Sequence, residues 1–214
     1  MADEVCISYK EEVKRKLIHL SSLWMVAAIL LIPNKFYSSI FFGILFVLTL
    51  LVERAYVLKV PVITELYNFF FGRMLRREPS PDAWIISGGA PVYAAAAFCC
   101  LCFSAVCAAA GMALLLTADV AAALIGRRFG KHKFSNGKSW EGSLSFFLTG
   151  ILALFLCFTV IGKPGLTLYA LPAILGATLA ELFQKKLLLD DNFLIPVITA
   201  GILQLTGYLM DLPY

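Results

Sequence analysis

Stretches made almost wholly of apolar residues alternate along this chain with short polar ones. Apolar runs of about the 17–25 residues that cross a bilayer fall at 17–33, 36–52, 84–102, 104–126, 143–162, 166–184 and 192–210. They predict an all-α integral membrane protein with about seven transmembrane helices, folded as a single polytopic membrane domain over residues 1–214. The third and fourth runs are nearly continuous, because residues 84–118 carry no charge, so Gly111 or the region of Ser104 must carry the turn. Composition agrees: 60% hydrophobic and 15% charged residues, with a mean hydropathy of +0.84, lie well outside the balance of a soluble domain.

Charge then orients the bundle. Sixteen of the eighteen Lys and Arg residues fall on the side of the N-terminus, within 10–16, 54–77, 127–138 and 185–186, whereas Lys35 and Lys163 fall opposite. The positive-inside rule makes the N-terminus and the polar segments on its side cytoplasmic, at a plasma or inner membrane or, in a eukaryote, the endoplasmic reticulum. Lys14, Arg15 and Lys16 before the first run mimic the start of a signal peptide, but no small-residue cleavage site follows, and a retained helix is expected. The longest cytoplasmic excursion, 53–83, contains "VITELYNFFFGRMLRR". There Leu66, Phe69, Phe70 and Leu75 gather while Arg73, Arg76 and Arg77 point to headgroups, between Pro61 and Pro79. An interfacial amphipathic helix is expected, with a solvated connector as the alternative.

A few polar residues stand out against this background. Asp119 lies inside the fourth run, where an acidic side chain costs about 2.5–3.5 kcal/mol on insertion scales, so it must face a polar cavity or a partner. Its helical face carries Ala122, Ala123 and Gly126, small enough for a ligand or another helix to come close. The same helix leads into "FGKHKFSNGKSWEGS", residues 129–143, which completes a candidate nucleotide block at 119–143. Gly137, Lys138 and Ser139 look like the end of a P-loop, but Gly130 and Gly137 enclose six residues where that motif has four, and no strand pattern precedes them.

A phosphate-compatible loop remains. Arg127, Arg128, Lys131, His132, Lys133 and Lys138 concentrate positive charge, Gly130, Gly137 and Gly142 allow close backbone approach, and Ser139 starts a helix whose free N–H groups favour an anion. The positive-inside rule alone would also place cations here. Glu181, with Asp190, Asp191 and Asn192 beyond it, offers oxygen donors suited to Mg²⁺, although Asp190 and Asp191 would equally cap the last helix. His19 shares a face with Arg15 and Lys16. Glu53, Arg54 and the helix-breaking Gly88, Gly89 and Pro91 fall at the same side of the membrane.

Arg15-Lys16-x-x-His19, then "ADVAAALIGRRFGKHKFSNGKSWEGS", then "AELFQKKLLLDDNFLIPV", resembles the CTP-dependent lipid kinases that include dolichol kinase, phytol kinase and the yeast-type diacylglycerol kinase, relatives of the phosphatidate cytidylyltransferases. The blocks run in family order from residue 14 to about 200, while 55–83 matches nothing in the pattern. The resemblance implies transfer of the γ-phosphoryl group of CTP, with Mg²⁺, to the hydroxyl of a membrane lipid alcohol within the bilayer, with no nucleic acid as partner. Carried over, Asp119 serves magnesium and phosphate, Lys138, Ser139 and Glu141 the nucleotide loop, and Asp191 with Asn192 a second polar contact.

Joined to the charge reading, the expected sites are catalytic Asp119, His19 and Glu181, metal-binding Asp119, Asp191 and Asn192, and a nucleotide set of Lys16, Arg127, Arg128, Lys131, Lys133, Lys138, Ser139 and Glu141. Either Asp119 or His19 could be the general base. Asp190-Asp191-Asn192 followed by Ile195-Pro196 is similar to the kinase branch. Cytidylyl transfer to phosphatidate is the alternative chemistry. A small transporter or scaffold using Asp119 and Glu181 as an ion path is more distant, since the charge gathers on one face and no inverted repeat is visible.

Overall fold

The computed structural model describes residues 8–71, 84, 87–187 and 189–212. The elements among them are helices: α1 (Tyr9–Ser21), α2 (Trp24–Leu31), α3 (Lys35–Val57), α4 (Pro61–Phe71), α5 (Gly89–Cys102), α6 (Ala105–Phe129), α7 (Trp140–Val160), α8 (Leu166–Tyr169), α9 (Leu171–Leu187) and α10 (Asp191–Leu209). Four of them, α3, α6, α7 and α10, are long and apolar enough to cross a membrane, and shorter apolar helices run over Gly89–Cys102 and Leu171–Gln184. The chain is built as a multi-pass membrane protein.

The first apolar run does not form one continuous helix. α1 stops at Ser21 and α2 has eight residues, a length of about 12 Å at 1.5 Å per residue. The Ser21 and Ser22 hydroxyls both donate to the Ile18 carbonyl, at 2.7 and 3.3 Å, and such local side-chain bonds compete with the helical ladder. The third run is shortened to α5 by Gly88 and Gly89, and the sixth is interrupted at Ala170. The turn between the third and fourth runs is carried by Phe103 and Ser104, where the Ser104 hydroxyl accepts the Cys107 N–H at 3.2 Å and caps α6. Gly111 instead lies in mid-helix.

The first part of the segment read as an interfacial helix forms α4, with Val62, Leu66, Phe69 and Phe70 exposed and Tyr67 buried. Arg73, Leu75, Arg76, Arg77 and Pro79 lie outside the described residues.

α6 is the axis of the bundle. Of its most apolar stretch 72% is buried, against 11% for α3, and it touches α1, α2, α5, α7 and α10. Lipid tails give apolar helices no hydrophobic reason to associate, so contact must come from close packing of small residues. Ala108, Ala109, Ala110, Ala113 and Ala118 supply that surface. Gly111 is pressed against α10, where a Cβ would lie 2.6 Å from the Pro196 carbonyl oxygen. At the other end of α6 a Cβ on Gly142 would stand 3.1 Å from the Ala122 carbonyl and 3.3 Å from the Gly126 Cα. The start of α7 and the end of α6 are thereby locked together beside Asp119.

Candidate functional site

Asp119 is buried within α6 and faces α1. Lys16 donates to Asp119 Oδ2 across the two helices, and both side chains are more than nine-tenths buried. His19 Nε2 lies 3.7 Å from the same oxygen. The face that carries Lys16 and His19 three residues apart is therefore the face turned to Asp119. A second buried acid secures the pair of helices: Glu12, 1% exposed, takes Arg15 at 2.6 Å and Arg127 at 3.4 Å. The sequence reading passed over Glu12; its spacing of three from Arg15 at the start of a helix was the available signal.

The polar loop after α6 folds into a tight hairpin. Trp140 N–H donates to the His132 carbonyl at 3.0 Å and Phe134 N–H to the Lys138 carbonyl at 2.8 Å. Gly137, at φ +86°, makes the turn, a conformation that side-chain-bearing residues rarely take. The Asn136 side-chain oxygen accepts the Lys138 N–H at 3.0 Å, an Asx turn. Glu141 closes the base of the hairpin, accepting from the His132 N–H at 3.2 Å and meeting its Nδ1 at 2.8 Å. Ser139 is buried and caps α7 by accepting the Gly142 N–H at 3.1 Å.

The hairpin is moored to the end of α9. Lys138 donates to the Glu181 carboxylate at 2.6 Å and to the Glu181 carbonyl, and Asn136 donates to the Leu182 carbonyl at 2.5 Å. Glu181 is itself buried, and its second carboxylate oxygen has no hydrogen-bond partner among the described residues. Asp190 caps α10 by accepting the Asn192 N–H at 2.9 Å, so the capping alternative holds for that residue. Asp191 follows it, half-buried and close enough to Asp119, Lys16 and Lys138 to feel their charges. Pro196, inside α10, has no N–H to give to the carbonyl of Asn192, which leaves that oxygen outside the regular ladder.

Lys16, His19, Asp119, Lys138, Glu181 and Asp191 thus come from four helices and one hairpin to a single end of the bundle. Arg127 joins through Glu12. Lys131 and Lys133 are exposed on the hairpin and Arg128 lies over the Phe129 ring at 5.3 Å, so these three stand outside the buried cluster. Among the described residues no group of three or more His, Cys, Asp or Glu is placed to hold a metal ion alone. Mg²⁺, which takes one or two carboxylates and completes its octahedron with water and phosphate oxygens, fits this donor set only if it arrives with a nucleotide.

Next to the cluster a cavity of about 480 Å³ opens between α1, α3, α4, α5 and α10. Lys16, His19, Glu53, Ser87 and Asn192 line its polar part, and Leu45, Leu48, Val52 and Val92 its apolar part. Lys16 borders both the cavity and Asp119.

No protein-family model matches the chain, and no solved structure matches it. The chain is 27% identical over 188 residues to an uncharacterized protein of Rickettsia prowazekii, an alignment that takes in 87% of this chain and 90% of that one. It is also 34% identical over 110 residues to a probable chloroplastic phytol kinase of Oryza sativa subsp. japonica, which covers 46% of this chain and 33% of the rice protein. The second likeness is distant homology to a part of that enzyme: the aligned region spans only a third of its length.

Proposed function

We propose that this protein is a CTP-dependent lipid kinase that transfers the γ-phosphoryl group to the hydroxyl of a membrane lipid alcohol, an isoprenoid alcohol or diacylglycerol. The observation that carries the reading is the meeting of a charged cluster and a largely apolar cavity walled by α3 at one residue, Lys16. Phosphoryl transfer asks mainly for positioning and for neutralisation of phosphate charge, and the cluster offers cations on the hairpin and on α1 opposite the carboxylates of α6, α9 and α10.

In this reading Lys138 meets phosphate oxygens as a point charge, and the hairpin backbone around Gly137 passes close to them. Asp119, with Asp191 and Asn192, would hold the magnesium that comes with the nucleotide, and the metal would supply charge neutralisation on the phosphates. His19 and Lys16 keep the Asp119 carboxylate in one orientation. The alcohol enters sideways from the bilayer past α3. The distant homology to a probable phytol kinase supports the reaction class. The cluster lies on the side that the distribution of Lys and Arg assigns to the cytoplasm.

The deciding experiment follows the label on the nucleotide. Purified protein is incubated with Mg²⁺, a mixture of lipid alcohols and phosphatidate, and CTP labelled at either the α or the γ phosphorus. A kinase places only the γ label in the lipid and leaves CDP. Recovery of α label in lipid with release of pyrophosphate would make the protein a cytidylyltransferase, and neither label in lipid would remove the enzymatic reading.

A further inference from the structure

α3 is the least buried of the four candidate spans, and the residues it buries are Ser38, Phe42 and Glu53. Glu53 is 1% exposed, so the one acidic residue of a lipid-facing helix has been turned inward, into the wall of the cavity. It is held there. The Ser87 hydroxyl donates to Glu53 Oε1 while its oxygen accepts the Gly89 N–H at 3.0 Å. The second bond takes up a lone pair of the oxygen and leaves its hydrogen for Glu53. Tyr67 of α4 closes the same corner, and burial together with the nearby Glu53 carboxylate pushes its hydroxyl pKa up, so it stays a neutral phenol.

The remaining lining separates into two chemistries. Leu45, Leu48 and Val52 form a stripe at helical spacing on α3, and Thr49 joins it with its hydroxyl spent on the Leu45 carbonyl at 2.8 Å. Leu48 is 51% exposed and Val52 44% exposed, so the stripe is open to the lipid side. Lys16, His19 and Asn192 join Glu53 and Ser87 in the polar part of the lining. The backbone comes close to the polar lining here: a Cβ on Gly88 would lie 3.0 Å from Asn192 Nδ2. An amphiphile with one hydroxyl fits such a space in only one direction, with its chain along α3 and its hydroxyl at the polar end.

We infer that Glu53 receives the hydroxyl of the lipid alcohol in this cavity, that Ser87 positions the Glu53 carboxylate, and that the lipid chain lies along Leu45, Leu48, Thr49 and Val52. The chemical half of this assignment rests on the kinase reading; the binding half does not. In the transfer step the alcohol oxygen forms a bond to the γ-phosphorus, the bond from that phosphorus to the β-phosphate oxygen breaks, and its electron pair leaves with CDP. The alcohol proton passes to the Glu53 carboxylate. An isoprenoid alcohol and diacylglycerol present the same hydroxyl to the same carboxylate, and differ in the apolar bulk laid against α3.

Two measurements on the purified full-length protein test this. In the first, a long-chain alcohol carrying a diazirine is photolysed with the protein in nanodiscs, with no nucleotide present, and the labelled peptides are identified. Adducts are expected on residues 45–52 and 87–93, competed by unlabelled isoprenoid alcohol or diacylglycerol and not by an alkane of equal length; whichever competes better names the acceptor class. Adducts elsewhere, or competition by the alkane, would overturn the site even in an active kinase. Adducts at the expected places in a protein that transfers no phosphate would keep the hydroxyl site and remove the kinase reading.

The second measurement is kinetic. Glu53→Gln should lower kcat for transfer about 100-fold or more, the range of a lost general base, with CTP binding unchanged by direct titration. Ser87→Ala should lower kcat less and raise the KM for the alcohol. Should Glu53→Gln fold poorly, Ser87→Ala and photolabelling of wild type decide by themselves. Transfer by Glu53→Gln within about tenfold of wild type would overturn the assigned role.

Discussion

Lys16 and Asp119, 103 residues apart in sequence, are joined by a buried ion pair that ties the first helix to the axis of the bundle. Removing one partner of such a pair costs about 3–5 kcal/mol, because the other charge is left buried alone. Asp119→Asn is therefore expected to lower the melting temperature of the detergent-purified protein and to reduce phosphoryl transfer at least about 100-fold, as loss of a key electrostatic group does. The double variant Lys16→Met/Asp119→Asn should recover stability and not activity. A single variant that melts with the wild type and keeps more than about a tenth of its activity would remove Asp119 from the site.

Lys138 shares its ammonium between two oxygens of Glu181, and the same ammonium is assigned to nucleotide phosphate. Lys138→Ala should weaken CTP binding roughly 10- to 100-fold, the equivalent of one charge-assisted hydrogen bond, when nucleotide is titrated directly onto the solubilised protein. A lysine that only sets topology leaves the binding curve where it was.

The bundle also predicts sidedness. With all native cysteines replaced, Ser135→Cys on the exposed turn of the hairpin should react with a membrane-impermeant maleimide only after cells are opened, and Gly165→Cys, exposed between α7 and α8, should react in intact cells. Reaction of both from one side would contradict the orientation read from Lys and Arg.

Packing around α6 gives a test that does not involve activity. Gly111→Ala pushes a Cβ to 2.6 Å from the Pro196 carbonyl oxygen, against backbone that cannot swing aside, and should cost about 1–3 kcal/mol. Gly43→Ala on α3 meets nothing within 4 Å and should be neutral or slightly stabilising, since alanine exceeds glycine in helix propensity by about 1 kcal/mol. Equal thermal stability of the two variants would show that α6 and α10 are not in close contact.

Asp119 was legible in the sequence because burial makes an acidic residue in an apolar run costly; the polar loop was legible from its cations and glycines, but its folding into a hairpin at Asn136 and Gly137 was not read, although an Asn-Gly pair is a local turn signal. Helical spacing also placed Lys16 with His19 and Arg15 on one face. The partner of Lys16 was not legible, since no local pattern connects residues so far apart. The division of the first run at Ser21 and Ser22 was hidden for a different reason: hydroxyls can satisfy themselves on a preceding carbonyl, so serines in an apolar run mark a break no more clearly than a continuation. Glu53 could be grouped with the other polar residues at one end of the chain's spans by position alone, but its inward turn involves Ser87, in the bend just before α5.

The separation of Lys16 from Asp119 also has a consequence in time. At about 5–20 residues per second, synthesis of the 103 residues from the one after Lys16 through Asp119 occupies roughly 5–20 s. Through that interval the lysine has no aspartate beside it and acts as one of the cations that anchor the leading end of the chain on one side of the bilayer. It is first a topological signal and only later half of an ion pair. Neutralising Lys16 is thus felt twice during biogenesis, in the fraction of chains inserted the wrong way round and in the unpaired centre of those inserted correctly, whereas neutralising Asp119 is felt only in the second.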